Sequence, residues 1–435
     1  MKNQINKNLR VAFNTLGCKS NRYDTIKLQE VLKHYPIEIV PFDEVADLYI
    51  VNTCAVTNNS EVSSRKIIRK AKRKNQDSDI LVTGCYAQIA QKELEDMEET
   101  SFVINNIEKD SIAKFIKNYF FSNLPDLPES VDFISGFSAQ TRPFIKIQDG
   151  CKSFCTYCVI PHTRPIMKSL KKESVAKQIN LLSDQGYKEV VLTGIHLGYY
   201  GEDLEEDIDF IGLLKYLEDN TTIERVRISS IDPHEVTKEF VDVVASSKKI
   251  QNQLHIALQY GDDKILELMK REYNTQQLLE NLEYANKKIP NLLYGFDIIV
   301  GFPYETEESF ENTKNLLLQT KPGYLHVFPY SKRPLTEAMD YSNHIDPPIM
   351  KRRAKILREL GKKLKKKRMI EAIGSVDSLL IERELIDNDI EYFRGHTSSF
   401  FDVVVEKDKN LSDNIIIDVK LEKILNDNII IASVV

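Results

Sequence analysis

No apolar run in this 435-residue chain approaches the roughly 20 residues of a membrane-spanning helix. The first ten residues, Met1 to Arg10, are polar and basic without an apolar core, so a secretory leader is not expected. Internal repeats and low-complexity tracts are missing, which sets aside solenoid architectures. Charge of one sign is also scarce. The 59 Lys and Arg nearly balance the 65 Asp and Glu, and a net charge of −6 does not advertise a nucleic-acid binder. Cysteine is sparse, with six in all. In a chain without an export signal they are expected to serve metals or catalysis in the reducing cytoplasm rather than disulfides. What is present supports folding: 42% apolar residues suffice for real cores, and the length implies two or three domains.

Local charge departs from the average in two places. Residues 65–74 read Arg-Lys-Ile-Ile-Arg-Lys-Ala-Lys-Arg-Lys, and residues 351–368 carry Lys351, Arg352, Arg353, Lys362, Lys363, Lys365, Lys366, Lys367 and Arg368. Such runs are either solvated helix faces or tracks for phosphates.

Residues 9–120 alternate short apolar strands (Leu9–Asn14, Leu48–Asn52, Ile80–Thr83, Phe102–Ile104) with helices expected near 22–34, 61–74, 88–96 and 109–121. This alternation predicts a parallel, doubly wound α/β sheet. Residues 122–142 read as a linker. A second alternation follows, with strands at Phe144–Gln148, Glu189–Leu192, Arg225–Ile228, Leu254–Leu258, Gly295–Ile299 and Tyr324–Phe328. Six βα units are fewer than a closed barrel's eight, so a partial (β/α)6 barrel is predicted. Pro347-Pro348 opens a basic helix near 349–372, and five short strands between 375 and 435 predict a small antiparallel β-barrel. The predicted domains are thus 7–122, 137–367 and 370–435.

The cysteines fall into two sets of three. Cys18, Cys54 and Cys85 each lie just past the C-terminal end of a predicted strand, the edge at which open α/β sheets bind ligands. Cys151, Cys155 and Cys158 sit within eight residues and can reach one inorganic centre. Soft thiolates select zinc, Cu(I) or iron–sulfur clusters. Three thiolates do not close a four-coordinate structural zinc site, although His162, four residues past Cys158, is an alternative fourth ligand. A cluster held by three protein ligands keeps one iron open for chemistry.

With Tyr157 directly before its third cysteine, the Cys151–Cys158 segment resembles the CxxxCxxC signature of radical S-adenosylmethionine (SAM) enzymes. Thr15-Leu16-Gly17-Cys18-Lys19-Ser20-Asn21, Val51-Asn52-Thr53-Cys54 and Thr83-Gly84-Cys85 extend the likeness, and the chain resembles the methylthiotransferases over nearly its whole length. Tyr23-Asp24-Thr25, Cys54-Ala55-Val56-Thr57-Asn58, Leu192 to Gly198 and Leu325 to Ser331 point to the branch acting on threonylcarbamoyladenosine beside the tRNA anticodon. The branches acting on isopentenyladenosine and on a ribosomal protein are the alternatives.

The resemblance implies two [4Fe–4S] clusters, one on Cys151, Cys155 and Cys158 and one on Cys18, Cys54 and Cys85. It also implies SAM contacts at Tyr157, Thr193, Gly194, Ser229 and Gly301, a radical route to an unreactive aromatic C–H bond, and a terminal TRAM barrel that binds RNA. The implied partners are a tRNA anticodon stem-loop, an electron donor such as flavodoxin or ferredoxin, and a sulfur source, with no membrane. Arg142, His196, Gln259 and His326 are further pocket candidates. Tyr392, Phe393, Arg394, His396, Phe400 and Phe401 suit base stacking, and deleting 370–435 is expected to cost tRNA affinity while sparing SAM cleavage. Several positions depart from the family pattern: Pro165, Tyr304 and Leu335 stand where Gly is usual, Lys168 where Arg is, and Tyr260 where Ser is.

Overall fold

The aliphatic runs of the N-terminal third build one sheet. The computed structural model describes residues 8–125, 133–135, 140–387 and 389–435. In it β1 (Leu9–Thr15), β2 (Ile37–Val40), β3 (Leu48–Thr53), β4 (Asp79–Gly84) and β5 (Phe102–Val103) pair in parallel in the order β2-β1-β3-β4-β5. All six residues of β3 are buried, as a central strand covered on both faces requires. Leu9, Val11, Leu48, Ile50 and Leu81 feed the core on one face, and Ala12, Tyr49, Val51, Ile80 and Val82 feed the core on the other. Helices α1 (Lys19–Leu32), α2 (Asn58–Lys74) and α3 (Cys85–Ile89) follow β1, β3 and β4.

Strand β2 carries no expected counterpart in the sequence, because Glu38 and Ile39 are exposed on an edge and erase the apolar signal. Helix α2 begins three residues earlier than expected, since the Thr57 hydroxyl caps it by accepting from the Ser60 N–H at 3.2 Å. The helix expected at 88–96 is two short ones, Cys85–Ile89 and Gln91–Glu95, parted at Ala90.

Compactness divides the chain differently from the segments 7–122, 137–367 and 370–435. One unit comprises the described residues up to 135 with 148–169 and 331–339, and the other comprises 140–147, 170–330 and 340–435. The linker expected at 122–142, and the first residues of the first two expected segments, lie partly or wholly outside the described residues.

In the second unit, Phe144–Lys146, Glu189–Thr193 and Arg225–Ile228 form one parallel sheet. Ser230–Ile231, Gln253–Gln259, Leu293–Val300 and Tyr324–Pro329 form another. Arg225 to Ile231 is one stretch of chain interrupted at Ser229, so six strands follow one another in sequence order, alternating with helices. Among the described pairings none joins Phe144–Lys146 to Tyr324–Pro329. The arc is the expected partial (β/α)6 barrel, open on one side. Helix Phe210–Asn220, to which the sequence reading gave no element, starts where Asp209 accepts from the Gly212 N–H at 2.7 Å.

The C-terminal strands Val376–Asp387, Ile390–Thr397, Asp402–Glu406, Ile416–Ile424 and Ile430–Val434 close a five-stranded barrel. Four of its pairings are antiparallel; that between Asp402–Glu406 and Ile430–Val434 is parallel. Its core takes in Leu293 from the arc and Met369 from the basic helix Pro347–Ala372. At the N-terminal ends of the arc's strands, Arg227 donates to the Thr397 and Ser398 carbonyls at 2.6 and 3.0 Å and to Glu189 at 2.7 Å. Arg225 reaches the Ser378 hydroxyl. The barrel thus plugs the bottom of the arc.

Two expectations change as a result. Tyr392, Phe393 and Phe401 are buried core, and the Phe400 ring packs against the Arg142 and Arg227 guanidinium groups at 5.2 and 4.9 Å. These rings hold the barrel in place and are not a base-stacking platform. Removing 370–435 would also expose Arg225, Arg227 and Glu189, so the barrel is not separable from the arc. The family glycines replaced by Tyr304 and Leu335 explain themselves in backbone terms: both residues sit at φ +67°, the left-handed region that costs a side-chain-bearing residue roughly 1–2 kcal/mol.

Candidate metal and cofactor site

The sheet order β2-β1-β3-β4-β5 reverses direction between β1 and β3, and open α/β sheets bind ligands beyond the strand ends at such a switch point. Cys18 caps the N-terminus of α1 just after β1, Cys54 follows β3 directly, and Cys85 opens α3 after β4. Two glycines make this approach feasible. A Cβ on Gly17 (φ +95°) would lie 2.9 Å from both Cβ and Sγ of Cys54, and one on Gly84 (φ +97°) would lie 2.4 Å from Asn52 Oδ1. Cys54 and Cys85 are buried, Cys18 is exposed and all six cysteines are free thiols. Burial, with the nearby sulfurs of Cys85 and Cys18 adding to it, pushes the Cys54 thiol above its ordinary value.

The second triplet lies in the same compact unit. Cys155 is buried, Cys151 and Cys158 are half-buried, and a backbone bond from the Cys158 N–H to the Cys155 carbonyl (2.9 Å) tightens the loop. Tyr157 lies within it, half-buried. The ring of His162, the alternative zinc ligand, sits edge-on to Phe154 at 5.8 Å.

Among the described residues, two groups bring ligand atoms within 4.8 Å of one another: His196–His234–Glu235 and His255–Asp297–His326.

Between the triplets runs a buried polar network. Arg164 donates to both oxygens of Asp149 (2.7 and 2.9 Å), to Asp24 Oδ2 (2.8 Å) and to Asn21 Oδ1 (2.7 Å). Burial opposes its charge, but Asp24 and Asp149 outweigh that and hold the guanidinium above its usual value. Lys109 joins Asp149 at 2.6 Å. The Asn21 amide donates to the carbonyls of Leu16 and Thr53, both at 2.9 Å. Asn106 donates to Cys85 Sγ at 3.5 Å. The sequence reading missed Asn106, Asp149 and Arg164. It quoted Asn21 and Asp24 only as family words, although their three-residue spacing on α1 puts them on one face.

Four of the five expected SAM contacts are in the second unit and lie at C-terminal strand ends, the active edge of such barrels; Tyr157 lies in the cysteine loop of the first unit. Thr193 ends its strand, Gly194 follows, Ser229 sits at the interruption after Ile228, and Gly301 follows Val300. Gly301 (φ +76°) donates its N–H to Glu305 at 2.7 Å, and Glu305 is paired with Arg353 at 2.6 Å. On the same edge His196 bonds Glu235 at 2.6 Å, stacked on Tyr199. Inside the arc, Asp297 accepts from His326 at 3.1 Å and faces His255 at 2.9 Å. Burial would raise the Asp297 carboxyl, but the two imidazoles overcome it and bring it down to about 2. Gln259 sits at φ +62° at its strand end.

Three-thiol loops on an α/β scaffold, in one chain with an open (β/α)6 arc, define a radical SAM enzyme with an added metal-binding domain. The model of the radical SAM superfamily matches residues 145–317, and that of uncharacterized protein family UPF0004 matches residues 10–105. The chain is 37% identical to threonylcarbamoyladenosine tRNA methylthiotransferase MtaB of Bacillus subtilis (strain 168) over 93% of its own length and 92% of the relative's. It is 32% identical to tRNA-2-methylthio-N(6)-dimethylallyladenosine synthase of Carboxydothermus hydrogenoformans over 85% and 87%. The radical SAM methyltransferase TsrM from Kitasatospora setae shares the fold, with a TM-score of 0.59 at 13% identity over 77% of each chain. The chain belongs to the methylthiotransferase family.

Proposed function

We propose that this enzyme adds a methylthio group at C2 of N6-threonylcarbamoyladenosine next to the tRNA anticodon. In this reading Cys151, Cys155 and Cys158 hold the [4Fe–4S] cluster that meets SAM, and Cys18, Cys54 and Cys85 hold a second one that presents the sulfur. The observation that carries the reading is the pair of three-cysteine sets in one compact unit, none of the six joined in a disulfide. When bound, the first cluster supplies the electron that cleaves the SAM sulfonium, which gives access to an aromatic C–H bond that no acid or base reaches. The chain's own part is positioning. Thr193, Gly194, Ser229, Gly301 and Tyr157 are the proposed SAM contacts, and Glu305, locked by Arg353, holds the Gly301 turn. A reductant such as flavodoxin or ferredoxin and a sulfur source are needed. The setting is the cytoplasm; no helix among the described residues is long and apolar enough to cross a membrane.

The greater identity to the MtaB relative, over more of the chain, favours threonylcarbamoyladenosine over isopentenyladenosine. Mass spectrometry of tRNA nucleosides from a deletion strain tests it. The methylthio form of threonylcarbamoyladenosine should vanish and its unmodified parent accumulate. Loss of methylthio-isopentenyladenosine instead, or of neither, refutes the assignment.

For RNA, the basic helix offers phosphate contacts. Lys362, Lys363 and Lys367 are exposed and have no acidic partner among the described residues, while neighbouring Lys366 reaches only Asp427 at 3.7 Å. Replacing Lys362, Lys363 and Lys367 with Gln should weaken tRNA binding at low salt and flatten the plot of log affinity against log salt by about two to three units. Binding isotherms at several salt concentrations check this; an unchanged slope would remove the helix from the interface.

A further inference from the structure

Resting on the assignment of Cys18, Cys54 and Cys85 to the second cluster, we propose that Arg164 is a positioning residue that fixes the two cysteine loops to one another and biases the second cluster toward reduction. One planar guanidinium binds groups from both loops. Asp149, two residues before Cys151, takes one nitrogen through both of its oxygens (2.7 and 2.9 Å). Asn21 and Asp24, on the helix that Cys18 caps, take the other (2.7 and 2.8 Å). A fork that satisfies carboxylates on two sides at once sets distance and angle together, which a point charge does not.

Asn21 carries the constraint to the remaining ligands. Its amide nitrogen holds the carbonyls of Leu16 and Thr53, beside Cys18 and Cys54, and its oxygen lies 3.7 Å from Cys85 Sγ. The guanidinium is therefore one amide away from the Cys85 sulfur, and Asn106 gives that sulfur an N–H donor from the other side. Asn106 also donates to the carbonyl of Thr163, the residue before Arg164, at 2.9 Å. Positive charge and N–H donors beside a ligating sulfur are the levers by which a protein raises a cluster's potential. Lys109 lies 2.6 Å from Asp149 and 3.5 Å from Asp24, so a cation stays beside both carboxylates when Arg164 is lost.

The test compares Arg164→Gln and Arg164→Lys with wild type in the full chain with both clusters reconstituted, reading three quantities. These are iron per chain, the potential of each cluster by EPR-monitored redox titration, and methylthio product formed per 5′-deoxyadenosine. The SAM-binding cluster is recognised by the response of its signal to added SAM. The Gln variant should keep its iron, move the potential of the cluster that ignores SAM to more negative values and leave the other in place. Product per 5′-deoxyadenosine should fall by about a hundredfold, the usual effect of a misplacement near 1 Å. The Lys variant should restore the potential, since the charge returns, but not the coupling, since the fork does not.

Full iron with unchanged potential and coupling in the Gln variant would overturn the proposal. If that variant fails to load iron, the Lys variant decides, and wild-type coupling there overturns it equally. The underlying cluster assignment fails by a different result: replacing Cys18, Cys54 and Cys85 with Ala without loss of iron.

Discussion

Replacement of Cys151, Cys155 and Cys158 together by alanine abolishes formation of 5′-deoxyadenosine from SAM under reducing conditions. Anaerobically reconstituted wild-type chain should hold about eight irons, and the variant about four, since cubane clusters carry four each. The effect is all-or-none because the thiolates have no understudies. The remaining three cysteines lie beyond other strands, on loops fixed by Gly17 and Gly84, and His162 is turned against Phe154. The variant should fold, since only Cys155 of the three is buried and the loop is pinned from outside by Asp149 and Arg164. Retained SAM cleavage, or a wild-type preparation that stays near four irons, would contradict the arrangement. Zinc in place of iron and acid-labile sulfide would return the simpler structural-metal reading.

Much of this site was legible in the sequence because cysteine is rare in the chain and its chemistry is narrow. Strand ends expected at Asn14, Asn52 and Thr83, each one residue short of the observed ends, were visible as apolar runs stopping short of a cysteine, and the sheet rim followed. The six strands of the arc were equally plain, because buried parallel strands are continuous apolar runs. What stayed hidden depends on neighbours far apart in sequence. Asp149 and Arg164 look like ordinary charged residues beside a cysteine motif until the fold places Asn21 and Asp24 against them. Strand β2 vanished because its edge position admits Glu38. The aromatic residues at 392–401 misled for a physical reason: strand alternation hides whether a ring faces solvent or core, and only the closed barrel shows Phe393 and Phe401 inside it. Tyr304 and Leu335 read as departures from a family pattern, and their φ of +67° shows what was given up.

The same closed barrel sets up the second large effect. Arg227→Ala should destabilise the unit by about 3–5 kcal/mol, the usual result of removing one partner from a buried ion pair. Glu189 and Arg227 have side-chain exposures of 0% and 3% at 2.7 Å separation, so neither charge has water to fall back on. Arg225 and Arg142, at 3.6 and 4.0 Å from Glu189, replace the lost partner only in part, since burial already works against the Arg225 charge. The same guanidinium also holds two barrel carbonyls, and Phe400 packs on it at 4.9 Å. Arg227 lies on the strand that ends at Ile228, one residue before Ser229, so loosening it should disturb the proposed SAM edge and not RNA binding alone. Thermal denaturation of the full chain checks the stability, with a drop of about 10 °C expected for a unit of this size. The double variant Glu189→Leu with Arg227→Met should recover only part of it, because buried Arg225 then loses its carboxylate and two barrel carbonyls lose their donor. A chain ending at Ala372 should lose SAM cleavage together with its folded baseline. Wild-type melting in Arg227→Ala, or full SAM cleavage by the truncated chain, would show that the barrel merely hangs from the arc.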